Sequence, residues 1–385
     1  MTSLKNKSTI TGVGETLYCK STEKSALELV LEASLSAIHD AGLAPRDIDG
    51  IIPYSSQGVT AEGIATNFGI ADLRYSALTP LGGASPVAAL QTAAMAVTTG
   101  VANNVLVCLG RSNAVSNGGR ITSRLAEMPQ MHVVAEFEMP IGANAPAQFY
   151  APMARRHMEV YGTKSEHFAE IAMVCRANAQ LNELAIMRKP MLTDDYRNSR
   201  MIADPLRLFD CSLESFGAAA VIVSSTERAR DMKHAPIYIG GVAEGHPDSP
   251  SAITQRPSIT TLGISKAAPI AFKSAGVELS DIDVAQIYDC FTYIVLCQLE
   301  DLGFCKKGEG GDFVSSGAIK RSGCLPINTH GGLLSEAHMA GMNHINELVR
   351  QLRGHCGERQ IKDVEVGLVT GFGDLGDGSI AILHR

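Results

Sequence analysis

The residues best suited to chemistry fall in one stretch, Asn328-Thr329-His330-Gly331-Gly332-Leu333-Leu334-Ser335-Glu336-Ala337-His338-Met339-Ala340-Gly341. Ser335 reads as an N-cap, and Leu334, His338, Met342, Ile345, Leu348 and Leu352 follow at helical spacing. That register puts His338 in the first turn of a helix, on its buried face. Gly331-Gly332 lets the backbone come close to something just ahead of the helix. Unpaired N–H groups and the positive end of the helix dipole point the same way. Such a place suits a neutral imidazole beside an anion, or beside an oxygen on which negative charge develops. A core histidine with its polar atoms satisfied would give the same spacing.

The elements that must hold this stretch are legible along the chain. Residues 8–13 read as a strand, and Ser25-x-x-Glu28 is a capping box opening a helix that stops at Gly42. A second strand spans 50–54, so strand, helix and strand alternate as in a parallel sheet. At Gly82-Gly83-Ala84-Ser85-Pro86, Ser85 is a candidate N-cap and Pro86 a first helical residue. The Ala-rich helix that follows stops at Gly100 and leads to an apolar strand at 105–109. Residues 112–165 look irregular, an inserted loop region, although 154–158 and then 166–182 read as helices. The trio Arg155-Arg156-His157 is either a solvated helix face or an anion contact.

The chain repeats itself. Ala41-Gly42-Leu43-Ala44-Pro45-Arg46-Asp47-Ile48-Asp49 matches Ala275-Gly276-Val277-Glu278-Leu279-Ser280-Asp281-Ile282-Asp283 at constant offset. The helix preceded by Gly82-Gly83 matches, in the same order, the one preceded by Gly331-Gly332. Two similar α/β halves are expected, 1–235 and 236–385. Their two helix starts, near Ser85 and Ser335, should converge on one pocket.

Composition excludes several roles. A net charge of −7 without a basic run argues against nucleic acid or an anionic membrane as partner. Nine scattered cysteines without a CxxC pair argue against a disulfide framework and a zinc site, and for a reducing, cytoplasmic compartment. No run is long and apolar enough for a membrane span, and no signal peptide is expected. Gly371 to Gly376 fits GxGxxG, but with nine residues left no βαβ unit can follow, so a dinucleotide site is rejected. His330, His338 and His344 lack a completing carboxylate pattern, so no metal site is expected.

These motifs resemble the thiolase superfamily. Gly331-Gly332 with His338 is similar to its GGxxxxxH element. The stretch 154–224, with Ser199-Arg200-Met201-Ile202-Ala203-Asp204-Pro205 and Asp210-Cys211-Ser212, resembles the sterol-carrier-type branch. Tyr288-Asp289-Cys290-Phe291-Thr292 stands where that branch has HDCF. The resemblance covers nearly the whole chain. It implies the α/β thiolase fold, a five-layer αβαβα body from two similar halves, and a homodimer.

The departures from the family decide the expected chemistry. Thiolases carry a nucleophilic Cys at the start of the first-half helix, and here that position is Gly83, with Ser85 as the matching Ser. The segment expected to hold the second Cys, around Gly373, has none. An acyl-cysteine therefore cannot form at the usual place. Gly83 should leave open the space of the acyl group, with Tyr288, His338 and Glu336 around it. Relatives lacking the Cys and carrying Tyr at the Tyr288 position resemble thiolase-like aldolases of steroid side-chain degradation. Those cleave a β-hydroxyacyl-CoA by retro-aldol chemistry. Their second Tyr corresponds to Glu336 here, so Tyr288 and Glu336 both stand as candidate bases. Tyr288, His338 and Glu336 are the expected catalytic residues, and Gly83, Ser85, Gly332 and Gly373 the expected substrate contacts. The resemblance implies coenzyme A as part of the substrate, no tightly bound cofactor, and a small partner subunit with a zinc ribbon and an oligonucleotide fold. Two alternatives remain: a thiolase or acyltransferase with a displaced nucleophile, for which Cys290 is the best substitute, and a silent acyl-CoA or lipid carrier.

Overall fold

The computed structural model describes residues 4–54, 57–114, 131–249, 252–373 and 375–385. Its strands are β1 (Ser8–Glu15), β2 (Gly50–Pro53), β3 (Tyr75–Ser76), β4 (Asn104–Arg111), β5 (Met201–Ala203), β6 (Leu206–Arg207), β7 (Gly217–Ser225), β8 (Ile237–Gly245), β9 (Val284–Gln286), β10 (Val366–Gly373) and β11 (Asp377–His384). The described helices of the first half are α1 (Ala26–Asp40), α2 (Ala61–Phe68), α3 (Ser85–Thr98), α4 (Pro146–Tyr161), α5 (Ser165–Ala179), α6 (Thr193–Arg197) and α7 (Thr226–Ala229). The second half adds α8 (Ile264–Ala275), α9 (Thr292–Leu302), α10 (Gly310–Ser315), α11 (Gly332–Ser335) and α12 (Met342–Arg353).

Nine strands form one sheet in the order β3-β2-β4-β7-β1-β8-β11-β10-β9. β2 is parallel to β3 and β4, and β9 is parallel to β10; the central pairs are antiparallel. The two parts meet at β1 and β8 through the short pairing Thr9–Tyr238 and Ile10–Ile237. Residue 235 falls between α7 and β8.

The layers follow from which faces are apolar. α1 buries Leu29, Val30, Ala33, Ala37 and Ile38 on one face and packs them on β1, β4 and β7. Its expected capping box is present: the Ser25 hydroxyl accepts from Glu28 N–H at 3.2 Å, and the Glu28 carboxylate accepts from Ser25 N–H at 2.7 Å. α8 covers β8 and β11 in the same way from the other half. α3 and α12 are buried nearly all round and lie between the sheet segments, packing on strands from both. Their shared core joins Val87, Leu90 and Val97 to Ile345, Leu348 and Leu352. Helix, sheet, helix, sheet, helix is the five-layer order that the family resemblance implied. Burying each of these Val, Leu or Ile side chains contributes about 1.5–3 kcal/mol.

The repeat is reproduced bond for bond. Asp47 accepts from Ala44 N–H at 2.8 Å, and Asp281 from Glu278 N–H at 2.8 Å. Asp49 accepts from Asn103 and Asn104 N–H, at the start of β4, and Asp283 from Glu365 and Val366 N–H, at the start of β10. Each acidic side chain thus closes a turn or tethers a strand that leads to the site.

Three sequence expectations need correction. Ser335 does not cap the long helix. It ends α11, and the chain runs non-helical from Glu336 to Gly341 before α12 starts at Met342. The break comes from two successive left-handed residues, Ala340 at φ +48° and Gly341 at φ +84°. His338 therefore lies in a link between two helices, not in a first turn. Ser85 is the first residue of α3 rather than its cap, and its hydroxyl accepts from Leu81 N–H at 2.9 Å, closing the turn before the helix. Within the irregular region 112–165, α4 is a 16-residue helix; residues 115–130 lie outside the described residues.

Candidate active site

Tyr288 is the hinge of the site. It follows β9, and two groups fix its backbone. Its N–H donates to Thr370 Oγ1 on β10 at 2.9 Å, and its carbonyl accepts from Gln298 Nε2 on α9 at 2.7 Å. Thr370 in turn donates to Gln298 Oε1 at 2.7 Å, closing the ring of bonds. One residue earlier, Asn328 brackets Ile287 through both its N–H and its carbonyl. The phenol ring is 3% exposed.

The phenol reaches Gly83. A Cβ built on Gly83 would lie 2.0 Å from Tyr288 Oη and 2.5 Å from the Phe372 carbonyl oxygen. The space beside Gly83 is therefore not open, as the sequence suggested, but filled by the Tyr288 hydroxyl. From the second half, a Cβ on Gly341 would lie 3.1 Å from Tyr288 Cδ2 and 4.0 Å from the Gly83 carbonyl oxygen. The starts of α3 and α12 thus meet at this one ring, the second at Gly341–Met342 and not near Ser335 as expected.

His338 completes the centre. Its Nε2 lies 3.2 Å from Tyr288 Oη. Its N–H donates to Ser215 Oγ at 2.6 Å. On the far side of the ring, Arg111 Nη1 approaches His338 Nδ1 at 2.5 Å and the His338 carbonyl at 3.3 Å. A guanidinium offers donors only, so Nδ1 is the acceptor and the ring proton sits on Nε2. Burial, then the Arg111 charge, pushes His338 well below the ordinary histidine range, so the ring is neutral. The sequence reading assigned that neutrality to burial and a helix dipole. His338 lies outside any helix, and the cation supplies what the dipole was expected to.

Arg111 was missed at the sequence level. It ends an apolar strand, paired with Gly217 of β7, and no local pattern marks it. Its exit is rigid: the Gln57 amide brackets Ser112, accepting from its N–H at 2.7 Å and donating to its carbonyl at 2.6 Å.

The other expected residues surround the centre without touching its reactive atoms. Glu336 points away, accepting from Asn182 Nδ2 at 2.7 Å and Asn343 Nδ2 at 2.6 Å. Burial and the neighbouring Glu15 carboxylate push it well above its ordinary value, which favours the protonated form. No hydrogen bond joins it to Tyr288 or the His338 ring among the described residues. Gly332, at φ +65°, makes room for Asp289, whose Oδ2 would lie 2.0 Å from a Cβ there. Asp289 accepts from Leu333 and Leu334 N–H, at 2.8 and 3.2 Å, so the free donors expected at this helix start are already used. Gly373 lets β10 press on the turn before α3, since its Cβ would lie 1.8 Å from the Leu81 carbonyl. His330 and His344 are joined ring to ring at 3.2 Å, and His344 Nε2 reaches Asp289 at 3.1 Å. The basic trio is split: Arg155 pairs with Asp204, while His157 is buried against Thr163 and Glu300.

Among the described residues, neither Cys108 nor Cys290 is prepared to stand in for the missing nucleophile. Burial pushes Cys108 up to about 12 and holds Cys290 well above its ordinary value, so neither is poised as a thiolate.

Comparison with known proteins identifies the family of the chain. Residues 245–385 match the family model described as thiolase C-terminal domain-like. A steroid side-chain-cleaving aldolase of Thermomonospora curvata is 40% identical over 377 residues, covering 96% of each chain. The chain belongs to the thiolase superfamily. A 17-hydroxy-3-oxo-4-pregnene-20-carboxyl-CoA lyase of Mycobacterium tuberculosis is 40% identical, covering 95% of this chain and 96% of its own. A solved structure, the Ltp2-ChsH2(DUF35) aldolase, superposes with a TM-score of 0.91 at 39% identity, covering 100% of this chain and 99% of that one. The near relatives of this thiolase-superfamily chain are thus thiolase-like CoA lyases as well as a fold match over its full length. No helix among the described residues is long and apolar enough to cross a membrane.

Proposed function

We propose that the protein cleaves a carbon–carbon bond of a β-hydroxyacyl-CoA by retro-aldol chemistry, giving a carbonyl product and a shortened acyl-CoA. One observation carries the reading: the Tyr288 hydroxyl fills the place beside Gly83 where an acyl-forming side chain would stand, and it is bonded to His338. A thioester seated there would meet a proton-exchanging phenol instead of a nucleophile.

The step needs a base for the β-hydroxyl proton and donors for the thioester oxygen as enolate character develops. His338 Nε2–H is the donor. Tyr288 takes the hydroxyl proton, the Cα–Cβ bond breaks, and its electron pair passes into the thioester enolate. The enolate is then protonated at Cα by the proton that Tyr288 took up, which restores the phenolate. Glu336 points away from the reacting atoms, both its oxygens being held by Asn182 and Asn343, so we assign it to holding the link that carries His338. Glu336→Gln keeps the shape and one of the two acceptor oxygens, and should retain turnover within about threefold while Tm falls for the lost acceptor. A loss of 10²-fold or so in kcat for this variant would return Glu336 to the role of base.

The pH profile tests the base directly. Burial pushes Tyr288 well above its ordinary value, with the Arg111 charge pulling the other way. A base whose value is raised carries its proton at neutral pH, and its active form grows as pH rises. Turnover should therefore climb from about pH 6 to about pH 9 without levelling off. A plateau reached near neutrality would assign the base to a group of ordinary carboxylate or imidazole basicity.

The substrate class we infer is a CoA thioester on a steroid side chain, after the names of the near relatives. A partner subunit is supported by the two protein names joined in the Ltp2-ChsH2(DUF35) aldolase, and we keep its small size, zinc ribbon and oligonucleotide fold, and the homodimer, as parts of the proposal. The deciding experiment incubates the protein, with such a partner co-expressed, with a steroid β-hydroxyacyl-CoA and follows both products by mass spectrometry. Tight acyl-CoA binding with no cleavage in either arrangement would make the protein a carrier instead.

A further inference from the structure

We propose that Arg111 is a positioning residue that sets the tautomer of His338 and thereby decides that this histidine donates rather than accepts; the inference rests on the aldolase reading for its catalytic meaning, though not for its geometry. The contact is direct, at 2.5 Å from Nη1 to Nδ1, and it spans 227 positions of sequence. The same nitrogen also reaches the His338 carbonyl at 3.3 Å, so the guanidinium grips both ring and backbone.

The chemistry of the partner at Nδ1 sets what the opposite nitrogen can do. A carboxylate there would take Nδ1–H, raise the basicity of the ring and leave Nε2 as a base. A guanidinium does the reverse. It occupies the Nδ1 lone pair, forces the proton onto Nε2, and opposes a second proton by its charge. The Nε2–H then points at the Tyr288 hydroxyl and the space in front of Gly83. His338 is thus a fixed neutral donor, and Tyr288 is left as the group that exchanges protons.

The groups facing the ring agree with this. Arg111 comes from β4, Tyr288 from just after β9, and His344 from α12; the Ser215 hydroxyl is spent on the His338 N–H. No carboxylate is hydrogen-bonded to the ring among the described residues. Glu336, two positions earlier, is held on the other side by Asn182 and Asn343. The backbone that carries Arg111 is fixed, because β4 pairs with β7 at Gly217 and the Gln57 amide clamps the next residue.

The test reads the tautomer, not only the rate. The full-length protein is labelled with ¹⁵N-histidine, and the His338 ring signals are assigned by their loss in His338→Gln. In the wild type, Nε2 should be protonated, Nδ1 bare, and the ring should not titrate between about pH 5.5 and about pH 8. In Arg111→Met the two tautomers should mix, and the ring should take up a second proton at a higher pH than in the wild type. With a cleavable substrate, kcat should fall at least about tenfold with KM changed by less than about twofold, and Arg111→Lys, which keeps a cationic donor, should recover most of it. If Arg111→Met does not fold, Arg111→Leu is read by the same criteria. A wild-type ring protonated at Nδ1, or an Arg111→Met spectrum identical to wild type, overturns the proposal. Absence of cleavage in the wild type would count against the aldolase reading and leave the tautomer result standing.

Discussion

Gly83→Cys, the substitution that would restore the thiolase nucleophile in sequence, should abolish cleavage rather than confer acyl transfer. The added Cβ would sit 2.0 Å from Tyr288 Oη, 2.3 Å from its Cζ and 2.5 Å from the Phe372 carbonyl oxygen. The last of these is backbone in β10 and cannot give way. The phenol must therefore leave, and its position is fixed by the Thr370 and Gln298 bonds behind it. Overpacking of this kind costs about 1–3 kcal/mol. Losing the phenol from its place beside His338 should lower turnover by about 10³-fold. Removing the ring as well should separate the two effects. Gly83→Cys/Tyr288→Ala should be less destabilised than the sum of its single variants, because the overlap is gone, while cleavage stays lost. Melting curves and product analysis of the four proteins make the cycle. Wild-type turnover in Gly83→Cys, or an acyl group found on that thiol with thiolytic activity, would defeat the account of the site.

That prediction depends on the one point where sequence and structure part most sharply. Replacement of the nucleophile by Gly83 was legible, because the repeat aligns the two glycine-led helices and the motif places the missing Cys. What filled the space was not legible, since Tyr288 lies 205 positions further on by the numbering and only packing brings its hydroxyl there. The repeat itself was readable for a physical reason: Asp47, Asp49, Asp281 and Asp283 make short-range or strand-tethering bonds that demand an acidic side chain at fixed positions. The start of α12 was misplaced because Ser335 has the right chemistry for a cap, whereas left-handed Ala340 carries no compositional sign. Taking Ser335 as a cap also gave Glu336 the wrong direction. Arg111 left no trace in sequence, because an arginine closing an apolar strand is ordinary until its partner across the molecule is known. Donor and acceptor roles at a histidine are properties of such partners, and spacing along the chain cannot assign them.

The second large effect concerns the pair itself. His338→Ala and Tyr288→Phe should each lower kcat by about 10²–10³-fold while leaving the affinity for acyl-CoA nearly unchanged. The first removes the Nε2–H that meets the thioester oxygen. The second removes one oxygen atom from a ring whose backbone is pinned independently, so the fold and the pocket shape should persist. Because Nε2 and Oη are 3.2 Å apart and act on one substrate, the losses should not add. The double variant should fall close to the worse single variant, as expected for residues that work as a unit. Binding is measured by calorimetry with the intact thioester, and kcat by release of the carbonyl product. Full turnover in both single variants would remove the pair from the chemistry. Unchanged turnover in Tyr288→Phe with a large loss in His338→Ala would keep the donor and require another base. A loss of affinity that accounts for the whole loss of kcat/KM would mean that the two side chains hold the substrate without taking part in breaking its bond.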